Sequence, residues 1–458
     1  MIKTILQREL VDNFKSLRFI MLTLFTILLF SLNGIIFSAR YNVQLDEYSK
    51  NISIYHRNPR ISKADLYKPP SLKMFIAEGG ENYRTNHFTL YPKGYIYSNP
   101  NREKTYFFSN SIELDWSFII KIIFSLYVIL FSYNAVSGEK NQGTLRQILS
   151  NPINRITLLF SKYLAVMITM AVQLILGILI SLIIMSFLLP QIITVEILLR
   201  TLAMMLIILA YLSLFTFLSL MLSSLIHQSS MVLMTLLFIW ILFYIIPEFS
   251  IIGAETIIEI PNEYQMAHNI NYSRGFNVQE IIDQGKFETA QEAQNAAQNE
   301  LENKINTIMK NFYAYDNAII NRLQIARNIS RLSPMGMFQY ASESISGTGL
   351  AGENHFISDI LNYSLVFDNY IFNKTGKVIA TSPIAGVTYV SYNGQYLMIR
   401  TPEAPYIKDY SDFPFFAPSK PSIVNSINYA LFDLSGLLLW NIVLAILSFM
   451  AFLRADVR

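Results

Sequence analysis

Residues 134–155 read NAVSGEKNQGTLRQILSNPINR, a polar run between two long apolar stretches. LDWSFIIKIIFSLYVILFSY precedes it, and LLFSKYLAVMITMAVQLILGILISLIIMSFLL follows it closely. A plain membrane loop needs turn residues and a few positive charges. This one adds a short helical pattern. Thr144 is placed to cap it, Gln147 completes a capping box three residues on, and Asn151-Pro152 ends it. Leu145, Ile148 and Leu149 give the helix an apolar face, which the membrane surface or a partner must cover. Periodicity alone does not choose between the two.

The composition explains the setting. Of 458 residues, 52% are hydrophobic and 15% charged, against about 25% charged in soluble domains. The deficit points to a membrane protein. A net charge of +3 is too small to argue for nucleic acid, and none is expected as a partner. Cysteine is absent, which excludes disulfides and thiolate metal sites. The first apolar stretch is too long for a signal-peptide core and reads as a retained anchor.

A hydrocarbon core of about 30 Å takes about 20 apolar residues as helix. Six stretches qualify, at 17–39, 116–133, 163–189, 198–225, 229–246 and 434–453. The fold class expected is therefore an α-helical polytopic membrane protein with both termini on one side. Lys3, Arg8, Lys15 and Arg18 precede the first span. Lys140, Arg146, Arg155 and Lys162 occupy the 134–162 segment, and Arg454 and Arg458 end the chain, while the 190–197 loop has no basic residue. Basic residues near span ends stay cytoplasmic, so the termini and the 134–162 segment are expected inside. Trp116, Trp240 and Trp440 then fall in the outer halves of their spans, as an interfacial belt would place them.

Two mixed α/β extracytoplasmic insertions remain, 40–115 and 247–433. The first has strand-like alternation in HFTLYPKGYIYS around a turn at Pro92-Lys93-Gly94. The second carries a long helical pattern whose apolar positions Ala297, Leu301, Ile305, Ile308, Phe312, Tyr315 and Ile319 step by three and four. Asn393-Gly394 between β-rich runs marks a hairpin. In RLSPMGMFQYASESISGTG, 331–349, Ser333-Pro334 starts a helix and Gly-Thr-Gly stops it. That helix either braces the insertion against the spans at the outer surface or is buried in a soluble domain. Residues 1–16 put Ile2, Ile5, Leu6, Val11 and Phe14 near one helical face. Such a helix lies along the inner membrane surface, or else extends the first span inward.

The loop resembles a known family. SGEKNQGTLRQILSNPINRITLLFSK is similar to the cytoplasmic signature of ABC-2 type transporter permeases: Ser137-Gly138-Glu139, Gly143-Thr144-Leu145, Ser150-x-Pro152 with Arg155, and Lys162 entering the next span. Pro69-Pro70-Ser71-Leu72, Asp115, the 331–349 segment with His355-Phe356, and Asp456-Val457-Arg458 resemble a subgroup with two large extracytoplasmic insertions. The resemblance implies that the segment contains a coupling helix docking on a separate ABC ATP-binding subunit. Glu139, Gly143, Thr144, Leu145, Arg146, Ile148 and Leu149 would form the docking surface. A second permease copy or paralogue, and membrane lipid, are the other partners implied, in a bacterial cell inner membrane.

No GxxxxGK[ST] occurs, so ATP is expected to be bound and hydrolysed by the partner, with no cofactor or catalytic site on this chain. Lys121 is the one clear intramembrane charge and is expected to snorkel to the outer surface. Ser213, Thr216 and Ser219 recur every three residues in the fourth span, a spacing for helix packing more than for a pathway. Two functions stay open: the permease subunit of an ATP-driven exporter, and a membrane-anchored envelope protein whose outer domains bind a partner without transport. An anchor has no need of a docking helix.

Overall fold

The computed structural model describes residues 2–79, 86–92, 95–98, 114–150, 154–258, 282–376, 387–400 and 410–454. Six of its helices are long and apolar enough to cross a membrane, and they include all six apolar stretches. The chain begins with α1, Ile2–Lys15, and α2, Leu17–Arg57. The second span starts as α3, Trp116–Phe118, widens to a π-helix over Ile119–Phe124, and continues as α4, Ser125–Ser132. The connecting segment forms α5, Ser137–Asn141, and α6, Thr144–Ser150. Three further spans follow: α7, Arg155–Leu188, α8, Val195–Leu225, and α9, Ser229–Glu255. The second insertion supplies α10, Ala290–Ser330, α11, Pro334–Ser346, and α12, Gly349–Thr375, and α13, Ile423–Arg454, closes the bundle.

One of the spanning helices, α2, is much longer than a bilayer is thick. At 1.5 Å per residue the 41 residues of α2 run about 60 Å, so its second half leaves the membrane and carries Tyr55 into the insertion core. α9 continues through Pro247 to Glu255 instead of stopping at 246. Proline removes a backbone donor and leaves the carbonyl four residues earlier without its helical partner. The hydroxyl of Ser333 donates to that carbonyl, Phe243 O, at 2.6 Å. The same serine caps α11, so one side chain mends the break and fixes the neighbouring helix.

α1 packs lengthwise against α7. Asn13 donates to Thr169 at 3.2 Å, Glu9 meets Lys162, and Ile5 packs on the cluster containing Leu158 and Leu159. These contacts descend α7 in order, so α1 is an extension of the first span, broken at Ser16. Ser16 caps α2 through Phe19 N, and Phe14 packs edge-on against Phe19 at 4.9 Å.

The two insertions are not independent domains. β1, Ala64–Tyr67, β2, His87–Tyr91, and β3, Tyr95–Ser98, form an antiparallel sheet in that order. Residues 93 and 94 of the expected turn lie outside the described residues. Leu66, Phe88 and Leu90 of this sheet share one core with Phe356, Ile360 and Phe367 of α12, and with Phe413. Lys68 pairs with Glu353 at 3.1 Å across the same join. β4, Val387–Tyr392, and β5, Gln395–Arg400, form the expected hairpin. Asn393 (φ 47°) and Gly394 (φ 79°) are both left-handed, as a two-residue type I′ turn requires. It packs on α10 through Leu397, Ala293 and Ala297. The side chains of Leu301, Ile305, Ile308, Phe312 and Tyr315 lie outside the described part of α10.

α11 packs into the main core of the spans, where Met335, Phe338, Ala341 and Ile345 are buried with Tyr211 and Phe215 of α8. Ser333 caps it, Pro334 opens it, and Gly347 at φ 72° ends it. It braces the insertion against the spans. Trp116 is fully buried, its indole donating to Ser181 at 3.3 Å, and Trp240 donates to Ser125 at 2.8 Å. Both indoles thus tie neighbouring helices together.

Candidate functional site

The segment between the second and third spans is held by its polar residues. The backbone amides of Val136 and Ser137 donate to Ser223 Oγ of α8 at 3.1 and 2.9 Å. Ser137 Oγ lies 2.9 Å from Ser229 Oγ at the start of α9, and Lys140 donates to the carbonyl of Ser224. Arg155 reaches the last carbonyls of α13, Leu453 O at 3.0 Å, where a cation also suits the helix dipole. One short motif therefore ties the ends of α7, α8, α9 and α13.

Glu139 faces inward. Its carboxylate meets Lys162 at 2.7 Å, and the same ammonium meets Glu9 of α1 at 2.7 Å. Lys162 is 3% exposed, so the two acids replace the water it has lost. Leu145 is also turned inward, 2% exposed among Val136, Leu158, Leu159, Leu220 and Phe452. Ile148 is half-buried at the edge of that cluster. Leu145 is thus covered by this chain's own spans, Ile148 in part, and neither Leu145 nor Glu139 belongs to a free surface. Thr144 is the first residue of α6 rather than its cap, and its hydroxyl donates to Glu139 O at 3.3 Å. Gly143 at φ 69° makes the turn into the helix. The side chain of Leu149, and the expected stop at Asn151-Pro152, lie outside the described residues. What the segment presents outward is polar: Asn141, Gln142, Gly143, Arg146, Gln147 and Ser150 are exposed.

A second polar site lies at the opposite end of the bundle. Lys121 does not snorkel. It is 8% exposed on the π-helical turn, and its ammonium donates to Gln339 Oε1 of α11 at 2.9 Å. Glu248 of α9 is 3.7 Å away. The widened helix leaves Lys121 O to accept from Tyr211 OH at 2.8 Å and Ser125 Oγ at 2.7 Å. π-turns recur at functional sites. Ser213 and Thr216 face α7, where Ser213 meets Tyr163 OH at 2.8 Å and Thr216 touches Met167. Ser219 is fully buried. All three are buried within the bundle.

Three further ionic ties escaped the sequence reading. Arg200 is fully buried and donates to Glu196 (2.9 Å), Ser426 (2.8 Å), Pro421 O (2.6 Å) and Ile345 O, joining α8, α11 and α13. Asp433, also fully buried, takes Arg331 at 2.6 Å and Arg327 at 3.0 Å from the end of α10. The third is the Glu9–Lys162–Glu139 group. A charge near the end of an apolar stretch reads as a flanking residue, and only the fold shows its partner. Lys73 joins the Arg200 group through Glu196 at 3.2 Å. Burial, with Arg200 and Lys420 nearby, pushes its pKa below the ordinary value against the pull of Glu196.

Ser419, His355 and Asp359 meet at the surface of the insertion, but not with the geometry of a hydrolytic relay. Ser419 Oγ donates to Asp359 at 3.0 Å and lies 2.9 Å from His355 Nε2. With its single proton on the carboxylate, the serine is an acceptor toward histidine. That order is the reverse of what an activated nucleophile needs.

A search of proteins of curated function returns no match. The family model described as ABC-2 family transporter protein matches residues 3–457, nearly the whole chain, including the motif that anchors the connecting segment. With six spans and that match, the chain is a multi-pass membrane permease component of an ABC transporter, and it belongs to the ABC-2 transporter family.

Proposed function

We propose that this chain forms the translocation pathway of an exporter, in a bacterial inner membrane, driven by a separate ATP-binding subunit docked on residues 134–162. The termini and that segment face the cytoplasm, and both insertions face outward. The observation that carries the reading is the anchoring of α5 and α6. Ser137, Glu139, Lys140 and Arg155 lock the segment to α1, α7, α8, α9 and α13, while Arg146 and Gln147 stay exposed. A push on the exposed side is thereby delivered to several spans at once. ATP closing the partner subunits would supply it. α9 is the least covered span, with Met234, Phe238, Ile241 and Leu242 exposed. A second copy or a paralogue packs there, and lipid covers the rest.

Two measurements test the reading. Purification from native membrane should recover a polypeptide with a Walker motif whose ATP turnover accompanies the permease; its consistent absence would reject the ATP-driven reading. Because the chain has no cysteine, single-cysteine variants are clean topology probes. Ser391→Cys should react with an impermeant maleimide in intact spheroplasts, and Ser150→Cys only after lysis. The opposite pattern would overturn the orientation.

A further inference from the structure

α9 and α10 are joined into one antiparallel shaft. Gly253 of α9 faces Ile329 of α10, and Arg322 of α10 reaches Glu255 at 3.2 Å and Ile258 O at 3.0 Å. The two helices are therefore packed side by side where α9 ends. From there α10 continues away from the spans, unbroken, to Ala290. Its far end carries the β4–β5 hairpin on Ala293 and Ala297, with Gln294 donating to Met398 O at 3.0 Å.

The shaft is held at its near end and at one level further along. At the near end, Ser229 Oγ lies 2.9 Å from Ser137 Oγ of the 134–162 segment. About 21 Å along α9, Ser333 ties Phe243 O to α11, and Trp240 donates to Ser125 one turn below. Beside Ser333, Arg331 and Arg327 of α10 both close on the fully buried Asp433 of α13, at 2.6 and 3.0 Å. A carboxylate gripped by two guanidinium groups makes this the firmest joint on the shaft. From Arg327 to the hairpin seat at Ala293 is about 50 Å of helix. The one weak point of the shaft, the turn broken by Pro247, falls at the joint and not in either arm.

We propose that α9 and α10 work as a lever whose fulcrum is the Asp433 joint, so that movement of the 134–162 segment displaces the hairpin lobe on the other side of the membrane. The long arm is about twice the short one, so the lobe moves about twice as far as Ser229 does. The transporter then does mechanical work outside the membrane in addition to its work across it. The lever takes its input from the ATP-binding subunit and so rests on the function proposed above.

The test measures spin-label distances in the complex recovered from native membrane, nucleotide-free and with a non-hydrolysable ATP analogue. The chain has no cysteine of its own. One pair, Gln7→Cys with Gln228→Cys, reads the short arm, and a second, Ser358→Cys with Asn299→Cys, reads the long arm; all four residues are exposed. Both distances should shift with nucleotide, the second about twice as far. Replacing the whole joint (Arg327→Gln, Arg331→Gln and Asp433→Asn together) leaves no unpaired buried charge. It should abolish the long-arm shift and keep the short-arm one. A short-arm shift without a long-arm shift in the wild type would overturn the lever and leave the coupling reading standing. A long-arm shift that survives the triple variant would also overturn the lever. Absence of both shifts would overturn the two readings together.

Discussion

Lys162 shows how much a single side chain can carry in this molecule. Its ammonium is almost fully buried and lies between Glu9 and Glu139 at equal distance. Lys162→Met leaves two carboxylates facing each other without their cation, and breaking a buried pair in this way costs about 3–5 kcal/mol. Thermal unfolding in detergent should show a large loss, with Glu9→Gln milder at about 1 kcal/mol because that carboxylate is partly solvated. Leu145→Asp should likewise destabilise the permease itself, by about 3 kcal/mol or more, since it puts an unpaired charge into a closed apolar cluster. Sequence pattern groups these residues without fixing their direction, and the family resemblance alone points them at a partner. Glu139 and Leu145 have the spacing of a partner-facing helix, and nothing local reveals that α1, 130 residues away, and the ends of α7 and α8 cover them.

At the level of elements, apolar length and capping chemistry were the legible features. Ser333-Pro334 and Gly347 delimit α11 as read, and Asn393-Gly394 makes the hairpin turn, because local backbone preference decides both. The orientation of α1 was not legible. An amphipathic stripe fits a lipid surface and a neighbouring helix equally well, and only Asn13–Thr169 and Glu9–Lys162 choose the helix. α11 also depends on a feature without a pattern in sequence. A Cβ on Gly336 would stand 2.2 Å from the backbone oxygen of Ser330. Gly336→Ala should therefore push α11 out of its seat against α8 and cost about 1–3 kcal/mol, the range for overpacking. Protease sensitivity of the 331–349 segment, compared at matched expression, should rise; an unchanged cleavage rate would mean that the turn yields freely.

Across the whole molecule, the insertions and the spans form one connected structure. Hydropathy revealed the six spans because the bilayer imposes a length and a polarity on each. It could not reveal that sequence segments 40–115 and 247–433 build a common core, since that core depends on pairings such as Phe88 with Phe356. Asp65 reports on this outer core. Burial raises its pKa, but the hydrogen bond with His87 and the charge of Lys63 outweigh burial and hold it at about 2, below the ordinary 3.8. A folded-state value below the unfolded one gives stability that is present above about pH 4 and is lost as pH falls toward about 2. The amount is about 1–2 kcal/mol at this partly open site. Unfolding followed between pH 5 and pH 2 should show that loss, and Asp65→Asn should flatten it.

On the proposed function, the 134–162 segment takes the ATP-binding subunit on its exposed polar face and passes the motion inward through its buried one. The double variant Arg146→Glu, Gln147→Trp alters only the exposed face, so the permease should fold and insert as wild type does. The decisive measurement is recovery of the ATP-binding subunit with this variant and with wild type, from native membrane at matched permease levels. Recovery should be about tenfold lower, the scale of charge reversal and steric clash at an interface centre. Equal recovery, with ATP turnover still stimulated by the permease, would contradict it.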